Sequence, residues 1–168
     1  MANANQNGAV LFTESVSAVT ATNSVALGSV RYESGKEYTY VYNGNTEQIT
    51  TGRGVRLASA ATGYTVDVAV PAISTCSANV LFGVCVNATF TTATYGWICK
   101  RGFVQLENIG ASSIGAGDIV HLTTSGTFRY YSAITAHGMY TMDWGAAKAT
   151  EAQATTTTGS FTAYISCR

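Results

Sequence analysis

The segment Tyr95–Val104 constrains the fold more than any other, because its aromatic and β-branched residues favour a central β-strand. Side chains alternate between the two faces of a strand, so Trp97 and Cys99 share one face and Ile98 takes the other. Beyond Gly102 the apolar positions shift by one residue along the chain. One inserted residue changes the face of every later side chain, and the sequence therefore predicts a β-bulge near Gly102.

The composition of the whole chain favours strands over helices. Thr, Gly and Tyr are abundant among the 168 residues, whereas the helix-favouring residues Leu, Glu, Lys, Gln and Arg are scarce. We therefore expect an all-β fold, a β-barrel or β-sandwich built from hairpins. The length fits one domain at 28–168, preceded by an extended N-terminal arm at 1–27 that finds little core of its own.

Two segments of similar pattern, Ile49–Val70 and Ile114–Tyr131, are predicted to form two similar hairpins attached to the central strand. Each begins with an apolar residue, has a glycine three positions later and continues into an alternating strand. The matching positions are Ile49, Gly52, Val55 and Leu57 in the first segment and Ile114, Gly117, Val120 and Leu122 in the second. The dipeptide Asn43-Gly44 carries a strong two-residue turn signal and predicts another hairpin.

Three further segments are predicted to be strands. Val80–Val86 is apolar on both faces, which is typical of a core strand. In 146–154 helix-forming residues compete with an alternating pattern, and we favour the strand because no apolar stripe of helical period is present. Phe161–Cys167 alternates apolar and polar residues and is predicted to be a closing strand.

Three groups of residues are candidates for contact with a partner protein or with neighbouring subunits. The first lies in the arm and is apolar, the second is a row of tyrosines on one face of a strand, and the third is the basic pair of the central strand. Tyrosine offers a large apolar area with a polar tip, although ordinary cross-strand pairing explains the same row. The candidates are Val10, Leu11, Phe12, Tyr38, Tyr40, Tyr42, Lys100 and Arg101.

The charge of the chain argues against several classes of partner. Charged residues make up 11% of the chain and the formal net charge is zero, compared with about 25% charged residues in an average domain. Binding to nucleic acid or to an anionic membrane surface needs clustered Lys and Arg, so we expect neither. No apolar run approaches the roughly 18 residues of a membrane span, and the N-terminus does not resemble a signal peptide.

The sequence carries no recognisable catalytic, metal-binding or cofactor-binding motif. Asp118 and His121 are three residues apart on a predicted strand, so their side chains point to opposite faces. No CxxC pair is present, and we expect the cysteines to be buried free thiols, with a Cys85–Cys99 bridge as the alternative. The four cysteines are Cys76, Cys85, Cys99 and Cys167.

Several segments together have a pattern that is typical of one protein family. They are Gly35–Asn43, Tyr95–Trp97, Arg101–Phe103, the turns Ala116–Asp118 and Gly126–Phe128, and the ending Gly159–Ile165. Through these segments the chain resembles, over residues 28–167, the head decoration, or cement, proteins of tailed bacteriophages. The resemblance implies an all-β subunit on the outer surface of the capsid, a homotrimer whose N-terminal arm crosses subunits of the major capsid protein, with no catalytic residues and no cofactor.

Three classes of function follow from these observations. The first is a structural virion protein that bridges major capsid protein subunits and stabilises the shell. The second is an adhesin-like module that binds host glycans through exposed tyrosines and Trp144. The third is a small hydrolase with a pair of carboxylates, for which the sequence offers no distinguishing setting.

Overall fold

The computed structural model describes residues 3–4, 10–12, 14–58, 63–68, 81–87, 89–108, 113–122, 126–130, 147–152 and 159–167. Every regular element within these ranges is a β-strand, which confirms the all-β class. The strands are β1 (Asn3–Ala4), β2 (Val10–Leu11), β3 (Val19–Thr20), β4 (Val30–Glu33), β5 (Lys36–Asn43), β6 (Ile49–Thr50), β7 (Gly54–Leu57), β8 (Thr65–Val68), β9 (Gly83–Cys85), β10 (Thr89–Phe90), β11 (Tyr95–Asn108), β12 (Ile119–Leu122), β13 (Phe128–Tyr130), β14 (Ala147–Ala149) and β15 (Gly159–Ser166).

One mixed sheet of eleven strands organises the domain, and β11 is its centre. The first half of β11 pairs with β5, β3 and β9, and its second half pairs with β15 and β13. At 14 residues β11 is the longest strand among those described. The central strand predicted at Tyr95–Val104 is therefore confirmed and continues four residues further. Two small sheets, β1–β2 and β6–β10, share no strand pairing with the main sheet.

The predicted bulge is present in β11. The pairing of β11 with β5 shifts register between Cys99 and Arg101, and Gly102 has a φ of 124°, in the region that favours glycine. As a result Trp97 and Val104 belong to the same buried cluster although one is odd-numbered and the other even-numbered. The bulge thus keeps apolar residues on one side of the strand along its whole length. Phe103, which simple alternation places beside Trp97, is 55% exposed instead.

The strand pairings form two closed circuits that share β11. In the first circuit β11 pairs with β9, β9 with β7, β7 with β8, β8 with β5, and β5 with β11. In the second β11 pairs with β15, β15 with β14, β14 with β12, β12 with β13, and β13 with β11. The predicted hairpins are confirmed as β7–β8 and β12–β13, one in each circuit.

The two circuits are structural repeats of one another. Five strands of the first repeat each have an equivalent in the second, with matched positions 62 to 65 residues apart. The equivalent pairs are β5 and the second half of β11, β7 and β12, β8 and β13, β9 and β14, and the first half of β11 and β15. Even single parallel pairings correspond, because Asn43 pairs with Val66 as Asn108 pairs with Phe128. Three backbone hydrogen bonds of the first repeat also have an equivalent in the second. Arg53 N to Thr50 O matches Asp118 N to Gly115 O, and Gly52 N to Cys85 O matches Gly117 N to Ala149 O. Cys85 N to Arg53 O matches Ala149 N to Asp118 O.

Each repeat has a matching set of interior residues. Six apolar positions of the first repeat are buried together in one cluster, and their six equivalents in the second repeat are buried together in the other. The matched pairs are Val41 and Leu106, Ile49 and Ile114, Val55 and Val120, Val66 and Phe128, Cys85 and Ala149, and Ile98 and Ala163. Burial of these side chains stabilises each repeat by roughly 1.5–3 kcal/mol for each large apolar residue.

The hairpin predicted at Asn43-Gly44 is wrong, because β6 pairs with β10 and not with β5. The side chain of Asn43 is fully buried, and its Nδ2 donates to the carbonyl oxygen of Phe90 at 2.8 Å. Its Oδ1 accepts a hydrogen bond from Asn45 N at 2.9 Å, so the chain turns here through a bond from the Asn43 side chain to the backbone two residues later. The hairpin partner of β5 is β4, joined by Ser34-Gly35, where both residues have positive φ as a tight hairpin turn requires.

Three other strand predictions agree with the structure. Leu81–Cys85 is buried throughout and contains β9, as expected for a core strand. The segment 146–154 contains the strand β14. In β15 Phe161, Ala163 and Ile165 are buried and alternate with more exposed neighbours, which confirms the closing strand.

The equivalent glycines Gly52 and Gly117 provide a matched test of the repeat. Both have positive φ, 86° and 91°, so an alanine costs about 1–2 kcal/mol at either position. A Cβ at Gly52 would lie 2.7 Å from Glu107 N, whereas at Gly117 it would meet no described atom within 4 Å. We expect Gly52→Ala to lose about 1–3 kcal/mol more than Gly117→Ala, measured by urea unfolding. Equal losses would contradict the close approach of the first turn to β11.

Candidate functional site

Two of the predicted contact residues, Tyr38 and Tyr40, belong to the core. Their side chains are 4% and 1% exposed, and the Tyr40 hydroxyl shares hydrogen bonds with Thr20 Oγ1 at 3.1 Å and Ser24 Oγ at 3.2 Å. We therefore assign them to packing within the chain instead of contact with a partner. Tyr42, the third of the row, is half-buried, with its ring centroid 5.0 Å from that of Tyr95.

The predicted arm does find a core to pack against from Phe12 onward. The Phe12 ring meets Trp97 edge to face, with ring centroids 4.9 Å apart, and the Arg31 guanidinium lies 5.9 Å from each ring centroid. Val16, Val25 and Leu27 pack on the same cluster, and β3 pairs with β11. The boundary at residue 27 therefore does not separate a free arm from the domain.

The first residues of the chain are arranged differently from the rest of the predicted arm. Among the described residues, β1 and β2 pair with each other and with no strand of the main sheet. The backbone of Val10 and Leu11 forms β2, while their side chains lie outside the described part of the structure. These two residues thus remain candidates for contact with a partner.

The two residues of the basic pair of β11 differ in exposure, since Lys100 is half-buried and Arg101 is exposed. The Lys100 ammonium lies 4.3 Å from the centroid of the Phe82 ring, a cation–π contact within the chain. Arg101 is exposed, and its Nε donates a hydrogen bond to the Tyr164 hydroxyl at 3.0 Å. Arg101 is therefore the member of the basic pair that is more available for contact with a partner.

A surface that we call the outer face surrounds Arg101 on β11 and β15. Its apolar centre is the pair Phe103 and Tyr164, whose ring centroids are 5.2 Å apart at an interplanar angle of 68°. Gln105 Nε2 donates to Thr162 Oγ1 at 2.8 Å beside this pair. The five residues form a surface patch with an aromatic centre and a polar rim, a composition typical of protein contact surfaces. Arg101, Phe103 and Gln105 are exposed, and Thr162 and Tyr164 are half-buried.

A second exposed surface, the edge patch, consists of Val30 and Tyr32 on β4. These side chains are 45% and 76% exposed, and Tyr32 is the most exposed large apolar residue of the described chain. Among the described strands, β4 pairs only with β5 and ends the order of the main sheet. Such an edge presents backbone groups that a strand from another chain can pair with.

The sequence interpretation named Arg101 but missed the aromatic residues of both surfaces. Simple alternation along β11 puts Phe103 on the face of Trp97, whereas the register shift between Cys99 and Arg101 comes before Phe103 and moves its ring to the opposite side. The signal for Tyr32 was weaker. It alternates with Arg31 and Glu33, which form an ion pair, so the aromatic residue takes the other face of an edge strand.

The three cysteines of the described chain are free thiols, buried at Cys85 and Cys99 and half-buried at Cys167. Cys85, Cys99 and Cys167 are unbridged, so the alternative of a Cys85–Cys99 disulfide is wrong. Burial raises the pKa of Cys85 to about 12, that of Cys99 to about 11 and that of Cys167 to about 12. Thiolate, the nucleophilic form, is therefore scarce at these three positions at neutral pH. Cys76 lies outside the described residues.

Other residues considered in the sequence lie outside the described structure or carry no described chemistry. His137 and Trp144 fall outside the described ranges, and the side chain of His121 is not described. Within those ranges no three His, Cys, Asp or Glu side chains are grouped so as to hold a metal ion. The same part of the chain has no helix of sufficient length and hydrophobicity to cross a membrane.

Comparison with protein-family models, with curated proteins and with solved structures finds no match to this chain.

Alkaline pH is predicted to destabilise the protein through its buried thiols. Unfolded thiols titrate near pH 8.5, so the stability gained by keeping them neutral is complete below that pH and is lost as the pH rises through 11–12. For Cys85 alone the loss between pH 7 and pH 10 is about 2 kcal/mol, measured by urea unfolding. Cys85→Ala, which copies the equivalent Ala149, is expected to reduce this pH dependence. An unchanged pH slope in that variant would contradict the assignment.

Proposed function

We propose that the protein is a structural virion protein that decorates the outside of a tailed-phage head, binds the major capsid protein and associates with further copies of itself as a trimer. The resemblance of residues 28–167 to head decoration proteins supports this function. The all-β fold and the low charge of the chain are consistent with it, because interface cores are depleted in charged residues.

The edge patch is the observation that carries the proposal. An exposed strand edge with Val30 and Tyr32 on its surface is suited to β-augmentation, in which a neighbouring chain adds a strand through main-chain hydrogen bonds. We assign this edge to the contact with the major capsid protein.

Binding of this kind stabilises a shell by simple thermodynamics. A protein that binds only the assembled lattice shifts the equilibrium toward the assembled form. Many equivalent copies tie neighbouring capsid subunits together, so a modest affinity at each contact is enough. Neither step needs a catalytic group or a cofactor.

Charge placed on the edge patch is expected to weaken binding to the head. Val30→Lys introduces a charge at an exposed edge position, and we expect its affinity for expanded heads purified without this protein to fall about tenfold or more. The measurement is the number of bound copies per head over a concentration series, together with the melting temperature of the heads.

Leu57→Lys is the matched control for that experiment. Leu57 is 41% exposed, close to the 45% of Val30, but it lies on β7, which has strand neighbours on both sides. This variant is expected to bind like the wild type. Failure of the wild type to bind expanded heads would reject the proposed function, and equal binding of both variants would reject the edge as the contact.

Glycan binding is the second candidate function, favoured by the outer face. The exposed ring of Phe103 and the half-buried ring of Tyr164, flanked by polar groups, suit the stacking and hydrogen bonding that sugars need. A glycan array is the test, with Phe103→Ala expected to abolish any specific signal. An array without specific binding would remove this candidate.

A further inference from the structure

We propose that the outer face is the surface through which the protein contacts a second copy of itself. This inference deepens the self-association included in the proposed function, on which it rests, by naming the residues that make the contact. Its centre is Phe103 with Tyr164, and its rim contains Arg101, Gln105 and Thr162.

The structural repeat identifies what corresponds to the outer face elsewhere in the chain. With the offset of 65 residues that relates β5 to the second half of β11, Phe103 is equivalent to Tyr38 and Gln105 to Tyr40. The same offset relates β15 to the first half of β11. There the equivalents of Thr162 and Tyr164 are Trp97 and Cys99. Phe103 pairs with Tyr164 across the strands as Tyr38 pairs with Cys99.

In the first repeat this face is covered by other parts of the same chain. Phe12 packs edge to face on Trp97, and Thr20 and Ser24 share hydrogen bonds with the Tyr40 hydroxyl. Trp97 and Cys99 are consequently 0% exposed. The first repeat therefore packs against other residues on two sides. One is its interior, and the other is the face that the N-terminal segment covers.

In the second repeat the equivalent face keeps its aromatic centre but lacks an equivalent cover among the described residues. Phe103 remains 55% exposed, compared with 4% for its equivalent Tyr38. An aromatic pair held in place by cross-strand contacts offers a rigid anchor, because little side-chain entropy is lost when it is covered. The polar rim supplies hydrogen-bonding groups around that anchor.

A second copy is the occupant that this comparison favours. The segment between Phe12 and Leu27, which covers the first face, is rich in Ser and Thr and has one charged residue, Glu14, so a nearly uncharged surface of this chain fits a face of this kind. The rim of the outer face carries the cation Arg101, and Lys148 of β14 pairs with Tyr164 beside it. Because the formal net charge of the chain is zero, copies approach each other without long-range repulsion.

Sedimentation velocity of the full chain across a concentration series tests the proposal without any capsid. We expect the wild type to self-associate and Phe103→Ser to raise the dissociation constant about thirtyfold, as truncation of an interface anchor does. Gln105→Lys, a charge on the rim of the same face, is expected to weaken association as well. Urea unfolding midpoints close to that of the wild type show that both variants are folded.

Tyr32→Ser is the matched control, since it removes an exposed aromatic side chain from the edge patch and is expected to associate like the wild type. A wild type that stays monomeric throughout, or a folded Phe103→Ser variant that associates normally, would overturn the proposal. Head binding is measured separately. Loss of head binding by Phe103→Ser without a change in association would assign the outer face to the capsid protein instead. Binding to heads with no self-association would retain the head-binding part of the proposed function and reject both the trimer and this inference.

Discussion

The β-bulge at Gly102 is the constraint on which the rest of the structure depends. It allows one strand, β11, to be the last strand of the first repeat and the first strand of the second. Without the register shift, the second half of β11 would present Phe103 and Gln105 to the core in place of Val104 and Leu106. Glycine is needed because φ is 124° and a Cβ would lie 2.8 Å from Lys36 Cγ.

The repeats have similar interiors, but the face opposite the interior is covered in the first repeat and exposed in the second. The residues that stabilise the fold are therefore distinct from those free to contact a partner. Their six matched interior positions remain apolar, since each repeat must bury a core of its own. The outer faces have diverged in what covers them. One is closed by Phe12 and its neighbours, while the other leaves Phe103 at the surface. A duplicated β-unit can in this way keep its fold and use one face for assembly.

Local patterns in the sequence predicted much of the fold but little of the candidate surfaces. The bulge, the two hairpins and the closing strand follow from alternation and glycine placement, which are local properties. The turn at Asn43 was mispredicted because its buried amide bonds to Phe90, a contact 47 residues away that no local pattern encodes. Burial of the tyrosine row has the same cause, since Tyr38 and Tyr40 are covered by segments distant in sequence.

The shared strand also has a mechanical consequence. Proteins made of two units joined by a linker bend at the linker, but here the junction is a hydrogen-bonded strand in the middle of a sheet. Its halves are fixed by β5 on one side of the bulge and by β15 on the other. Load applied to one repeat therefore passes to the other along the covalent backbone of β11, to which each repeat is attached by its own ladder of backbone hydrogen bonds.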